Sequence, residues 1–139
     1  MFTKLAHAND GSERAFAALA VALDLAKRLA SGLHMICVEE MPSFPATIDE
    51  LVEEKAEADH VFGPVVRRAR ALAQAQGVPL AAKVVSGHPV QRIVNFVEEE
   101  RCDLLVIGFM GHSALYERII GGTADRLVRL APCAVLVVK

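Results

Sequence analysis

The chain alternates short apolar runs with longer stretches whose apolar residues recur every three or four positions. The first run, Phe2–Ala8 (FTKLAHA), ends at Asn9-Asp10-Gly11, a turn signal. From Ser12 to Ser31 the period becomes helical, with Phe16, Leu19, Ala20, Leu23 and Ala26 on one face. Ser12 suits an N-cap, Glu13 favours the positive end of the helix dipole, and Gly32 suits the stop. Leu33–Glu40 (LHMICVEE) reads as a second strand, followed by the polar, proline-containing MPSFPA. Thr47 and Glu50 form a T-x-x-E capping box for a second helix, continued by Val65, Ala69, Leu72 and Ala73 and ended by Gly77. Pro64 falls inside it and predicts a kink or break near Gly63.

Leu80–Ser86 (LAAKVVS) is the third strand, and Gly87-His88 leads into a helix with Pro89 at its first position. Val90, Ile93, Val94 and Val97 mark its buried side. DLLVIG is the fourth strand, apolar on both faces as a covered parallel strand requires. A glycine-rich loop follows, then a short helix from about Gly122 to Leu130, and CAVLVVK as a fifth strand. Strict strand–helix alternation predicts an α/β three-layer open sandwich, with helices on both faces of a parallel sheet. Right-handed crossovers favour the strand order 3-2-1-4-5. Ligands of such sheets bind beyond the carboxyl ends of the strands, where the winding reverses. There Asn9-Asp10-Gly11-Ser12 and the segment from Gly108 onward meet.

Composition narrows the function. The 139 residues suit a single domain spanning 1–139, and the net charge of -2 comes from scattered charges. Without a basic stripe, nucleic acid is not an expected partner. No apolar run approaches the ~20 residues of a bilayer span, so membrane insertion is not expected either. The N-terminus lacks a signal-peptide layout, which points to the cytoplasm. Cys37, Cys102 and Cys133 are widely spaced and lie in or beside apolar segments, as reduced core residues would.

The loop GFMGHSALYERIIGGTAD holds four of the nine glycines of the chain. Glycines permit positive φ and let backbone N–H groups approach an anion, and a following helix start adds free N–H groups. Gly108 and Gly111 could form one wall of a phosphate site, with Gly121, Gly122 and the Thr123 hydroxyl forming the other. Turn glycines with a helix cap are the alternative. Neither G-x-x-x-x-G-K-[ST] nor G-x-G-x-x-G occurs.

Gly108-x2-Gly111-x9-Gly121, running on through GGTADRLVRLAPCAVLVVK, resembles the universal stress protein family. NDGSERAFAALAVALDLAKRLASGLHMICV is similar to its first turn, helix and second strand, and SGHPVQRIVNFVEEERCDLLVIG to its third helix and fourth strand. The likeness covers nearly the whole chain and is weakest from Pro42 to Val78. It implies a Rossmann-like fold of the adenine nucleotide alpha hydrolase-like type and a stress-response regulatory protein that binds ATP, ADP or AMP. It also places Ala8, Asn9, Asp10, Val38, Ile107, Gly108, Gly111, His112, Ser113, Gly121, Gly122 and Thr123 at the nucleotide. Asp10 would face the adenine or ribose, Val38 and Ile107 the base, and the glycines with a hydroxyl the phosphates. Mg²⁺ is an optional companion that Asp10 could hold, although Asp10 is better placed for the base or ribose side.

Two departures stand out. The family usually has Ser or Thr at Gly122, so one phosphate donor is missing unless Thr123 replaces it. A hydrogen bond to a charged group is worth roughly 1.5–3 kcal/mol, enough to weaken binding or move preference from ATP toward ADP or AMP. Ala8 stands where proline or another apolar residue is common. His112 reads as a pH-sensitive phosphate contact or as a solvated loop histidine. His7 reads as a satisfied interior or sheet-edge histidine, and Glu98-Glu99-Glu100 as a solvated face. His34, His60 and His88 have no metal-ligand spacing, and Tyr116 is a ligand contact, a partner contact or a loop anchor.

An enzyme of slow ATP hydrolysis or phosphoryl transfer is a second possibility, but the loop offers Arg118 and no lysine to neutralise charge. A nucleotide-independent interaction module is a third. The apolar fifth strand is expected at the sheet edge, and pairing its residues 134–138 with a second copy gives a homodimer, as the resemblance also implies.

Overall fold

The computed structural model describes residues 2–40, 47–109 and 122–139. Their elements follow in order: β1 (Leu5–Ala8), α1 (Glu13–Arg28), β2 (Leu33–Glu40), α2 (Ile48–Ala75) and β3 (Leu80–Gly87). Then come α3 (Pro89–Glu100), β4 (Leu104–Gly108), α4 (Thr123–Leu130) and β5 (Ala134–Val138). All four strand pairings are parallel, and the order is β3-β2-β1-β4-β5. Leu5 is in register with Leu33 and Leu104, and those with Leu80 and Ala134, so one row crosses the sheet.

Side chains alternate between the two faces, and each face builds a core. Leu5, Met35, Cys37, Leu104 and Val106 pack with Phe16, Leu19 and Leu23 of α1 and with Phe62, Ala69 and Ala73 of α2. Ala6, Ile36, Leu105 and Ile107 pack with Ile93, Phe96 and Val97 of α3 and with Ala124 and Leu127 of α4. Ala15, Ala18, Ala22 and Ala26 are buried along α1. With little more than a methyl group each, they let the helix lie close to the sheet.

Two elements differ from their sequence pattern. β1 is four residues long, and the chain before it is tied to Asp103 by one backbone bond, from the Asp103 N–H to the Lys4 carbonyl at 2.9 Å, and by that residue's side chain. The Asp103 carboxylate accepts from the Thr3 N–H at 2.8 Å, the Thr3 hydroxyl at 3.0 Å and the Lys4 N–H at 3.1 Å. α2 is not broken at Gly63 but runs 28 residues with Pro64 inside. Gly63 has no Cβ to clash with the proline ring, and Pro64 and His60 are exposed, so water can satisfy the carbonyl that loses its donor. Buried Ala58 and Phe62 before the proline, and Ala69 and Ala73 after it, hold both halves to one core. Among the described residues no helix is long and apolar enough to cross a membrane.

Candidate functional site

β1 and β4 lie side by side, so the turn after β1 and the end of β4 form one crevice. The turn is tightly organised. The Asn9 N–H extends the ladder to the Ile36 carbonyl at 3.0 Å. Asn9 Oδ1 accepts from the Gly11 N–H at 2.8 Å and Asp10 Oδ1 from the Ser12 N–H at 3.0 Å. Ser12 Oγ then caps α1 by accepting from the Ala15 N–H at 3.1 Å. Gly11 has φ +86, and a Cβ there would stand 3.1 Å from Val65 Cγ2. The turn is therefore wedged between the sheet and α2.

Gly108 has a packing reason of its own. A Cβ on it would lie 3.0 Å from the Arg14 carbonyl oxygen, so the first turn of α1 rests against the end of β4. Its lack of a side chain is thus required before any ligand is considered.

A cavity of about 410 Å³ opens above these strand ends. Its floor and sheet wall are Ala8, Asn9, Asp10, Ile36, Val38, Ile107 and Gly108, with Glu39 and Glu40 at the rim of β2. Ser12 and Ala15 of α1 and Val61 and Phe62 of α2 close one side. Pro89 and Ile93 of α3 and Thr123, Ala124 and Leu127 of α4 close the other. Seven of the sequence-derived positions, Ala8, Asn9, Asp10, Val38, Ile107, Gly108 and Thr123, thus line one cavity. Gly111, His112, Ser113 and Gly121 lie outside the described residues, as do Tyr116 and Arg118.

Gly122 is the N-cap of α4, with φ -72, ψ -165 and no side-chain cap. The first N–H groups of a helix have no partner within it, and the positive end of the α4 dipole adds to them. A serine here would supply a hydroxyl to cap the helix or meet an anion. Thr123, the next residue, lines the cavity and is the nearest hydroxyl-bearing residue to this cap among the described residues.

The charged groups on the described wall, Asp10, Glu39 and Glu40, are all acidic. His7 is not on it. The ring is buried, and Nδ1 lies 2.9 Å from the Val106 carbonyl oxygen, so Nδ1 carries the proton. Nε2 is buried without a hydrogen-bond partner among the described residues, so the interior placement expected for His7 comes with only one satisfied nitrogen. Loss of hydration holds its pKa down to about 4, and the ring stays neutral near pH 7. Burial pushes the Cys37 thiol up to about 12 and Cys102 up to about 11, and raises Cys133 as well. None is a thiolate near neutrality. Glu99 and Glu100 lie within 4 Å of the Lys83 and Lys4 ammonium groups on the surface. Among the described residues no three His, Cys, Asp or Glu side chains converge as a metal site would require.

Periodicity had not marked Glu39, Glu40, Val61, Phe62, Pro89, Ile93 or Leu127 as wall residues. The rule that ligands sit at strand ends could have found the glutamates, which close β2. Val61 and Phe62 carried no such signal, because only the packing of α2 brings them there.

The match to the model of the universal stress protein family runs over residues 1–139. A universal stress protein of Thermus aquaticus is 32% identical over 140 residues, covering the whole of both chains. Among solved structures, the universal stress protein UspA of Lactobacillus plantarum superposes with a TM-score of 0.82 at 25% identity, covering 99% of this chain and 98% of that one. A universal stress protein in complex with cAMP superposes with a TM-score of 0.81 at 24% identity, over 99% of this chain and 97% of that one. By sequence and by fold, the chain belongs to the universal stress protein family.

Proposed function

We propose that the chain binds an adenine nucleotide in the cavity at the carboxyl edge of the sheet and acts as a stress-response regulator in the cytoplasm. One observation carries the reading: the cavity of about 410 Å³ has an apolar floor at one end and a helix N-terminus at the other. That volume falls within the usual range for small-molecule sites, roughly 300–1,000 Å³. Val38, Ile107 and Phe62 suit the base, Asp10 the base or ribose, and the α4 N-terminus with Thr123 a phosphate. A protein with this fold has been solved in complex with cAMP, an adenine nucleotide.

The ligand favoured here carries few phosphates. Gly122 offers no hydroxyl, and no Lys or Arg lines the described wall to balance a triphosphate. AMP and ADP therefore suit the site better than ATP. Mg²⁺ has no protein-built cage among the described residues, and Asp10 Oδ1 is engaged by the Ser12 N–H. Binding, not phosphoryl transfer, is the activity this arrangement favours.

Calorimetric titration of nucleotide-free protein tests the reading. Heat of binding with AMP or ADP, weaker with ATP, is expected; no heat with any of the three at millimolar concentration would overturn it.

The reading includes a homodimer through β5. The strand is an edge of the sheet, and Leu136 is 36% exposed on it. Two such strands can pair about a two-fold axis. Leu136→Lys should yield a monomer by sedimentation, and an unchanged dimer would remove this interface.

A further inference from the structure

The two edges of the sheet, β3 and β5, are finished differently. The ladder shows which backbone groups each edge turns outward. The Leu33 N–H donates to the Pro79 carbonyl at 2.9 Å, and Leu33 is in register with Leu80. Successive residues of a strand turn their N–H and C=O groups to opposite sides, so the odd-numbered residues from Pro79 to Gly87 bond to β2. Leu80, Ala82, Val84 and Ser86 turn theirs away from the sheet. On the other edge the Phe109 N–H donates to the Val138 carbonyl at 2.9 Å, and the same alternation leaves Val135 and Val137 outward.

Two cationic side chains of α2 reach the outward row of β3. Lys55 Nζ donates to the Val84 carbonyl at 2.6 Å and to Asp59 Oδ1 at 2.8 Å, and the second bond holds the ammonium in place. Arg70 Nη1 donates to the Leu80 carbonyl at 3.3 Å. Both residues are exposed, whereas Ala58, Phe62 and Ala69 between them are buried. α2 is therefore anchored by its core face and extends two arms to the sheet edge. The carbonyls on either side of Ala82 are both taken in this way. Among the described residues no side chain bonds to the outward groups of Val135 or Val137.

We propose that Lys55 and Arg70 seal the β3 edge against strand pairing with a second copy of this chain. This barrier needs no nucleotide, and it stands whether or not β5 pairs. A bare edge of eight residues, with apolar Leu80, Ala82 and Val84, is a template for another strand, and cations on an edge oppose such pairing. An antiparallel pairing about a two-fold axis through Ala82 sets Val84 of one copy opposite Leu80 of the other. Both carbonyls are then already bonded, and Lys55 of one copy meets Arg70 of the other, like charge against like.

The test is sedimentation velocity of wild type and the double variant Lys55→Met/Arg70→Met, with circular dichroism as the check on folding. Methionine keeps much of the apolar stem and removes the donor and the charge. Freed of both arms, β3 should pair, and the weight-average mass should rise about twofold or more over wild type at equal concentration. Lys55→Arg with Arg70→Lys keeps donors and charges and should hold the wild-type mass. Adding Ala82→Pro to the methionine variant removes an outward N–H and no bond to β2, so the mass should fall back. A folded methionine variant of wild-type mass overturns the barrier. So does a rise shared by the Arg/Lys exchange, or one that Ala82→Pro leaves in place, since association then runs through another surface, such as the exposed Ile48 and Val52 of α2. Should the double variant not fold, Lys55→Met alone removes the shorter bond and is judged by the same outcomes.

Discussion

The two sides of the cavity are built differently. On the β1 side, Asn9, Asp10 and Ser12 each spend a side-chain oxygen on a backbone N–H within three residues, and Gly11 is wedged against Val65. On the α4 side, Gly122 caps the helix with no side chain at all. The first side is fixed before a ligand arrives, whereas the second keeps backbone donors in hand. A glycine therefore means different things across one cavity. Gly108 makes room for α1, and Gly122 leaves a hydroxyl out.

The largest expected effect lies beneath the rigid side, at His7. Its pKa falls from 6.5 to about 4 on folding, so the unfolded chain takes up a proton that the folded chain refuses. Stability is therefore full above pH 6.5 and is lost as pH falls from there toward 4, by roughly 3 kcal/mol in all. Urea unfolding at pH 7 and pH 4.5 should show much of this loss, and His7→Leu should flatten it. An unaltered pH profile in the variant would mean that the ring is not held neutral by burial.

Next comes the packing at Gly108. Gly108→Ala puts a methyl group about 3 Å from the Arg14 carbonyl oxygen and should cost about 1–3 kcal/mol by thermal or urea unfolding. A neutral outcome would return that glycine to a purely ligand-related role. Removing the α1 cap should cost less: Ser12→Ala loses the bond to the Ala15 N–H, about 1 kcal/mol. The smallest stability change is expected on the sparse side. Gly122→Ser should stabilise α4 by only a few tenths of a kcal/mol. Yet it should tighten ATP about tenfold relative to AMP, since a hydroxyl gains a bond to a charged group. If ATP gains nothing, the phosphates do not reach the α4 N-terminus.

Much of this was legible in the sequence because it is local. Strand–helix alternation and the N-caps Ser12 and Thr47 come from neighbours in the chain, and the strand order follows from general rules of α/β sheets. What escaped depends on distant partners. Pro64 read as a kink or a break because its cost is local, whereas the contacts of Phe62 and Ala69 that keep the helix from breaking are tertiary. β1 looked longer because its pattern cannot show that Asp103, a hundred residues away, holds Thr3. Gly108 fitted a nucleotide motif, and nothing local disclosed that Arg14 would lie against it. The same holds for Val61 and Phe62, which reach the cavity only once α2 is placed.

The most direct measurement is a crystal structure of the protein grown with saturating AMP. The base should lie against Val38 and Phe62, with the phosphate within hydrogen-bond distance of the Thr123 N–H or hydroxyl. An empty cavity at saturating nucleotide, or AMP bound away from the carboxyl edge of the sheet, would contradict the proposed site.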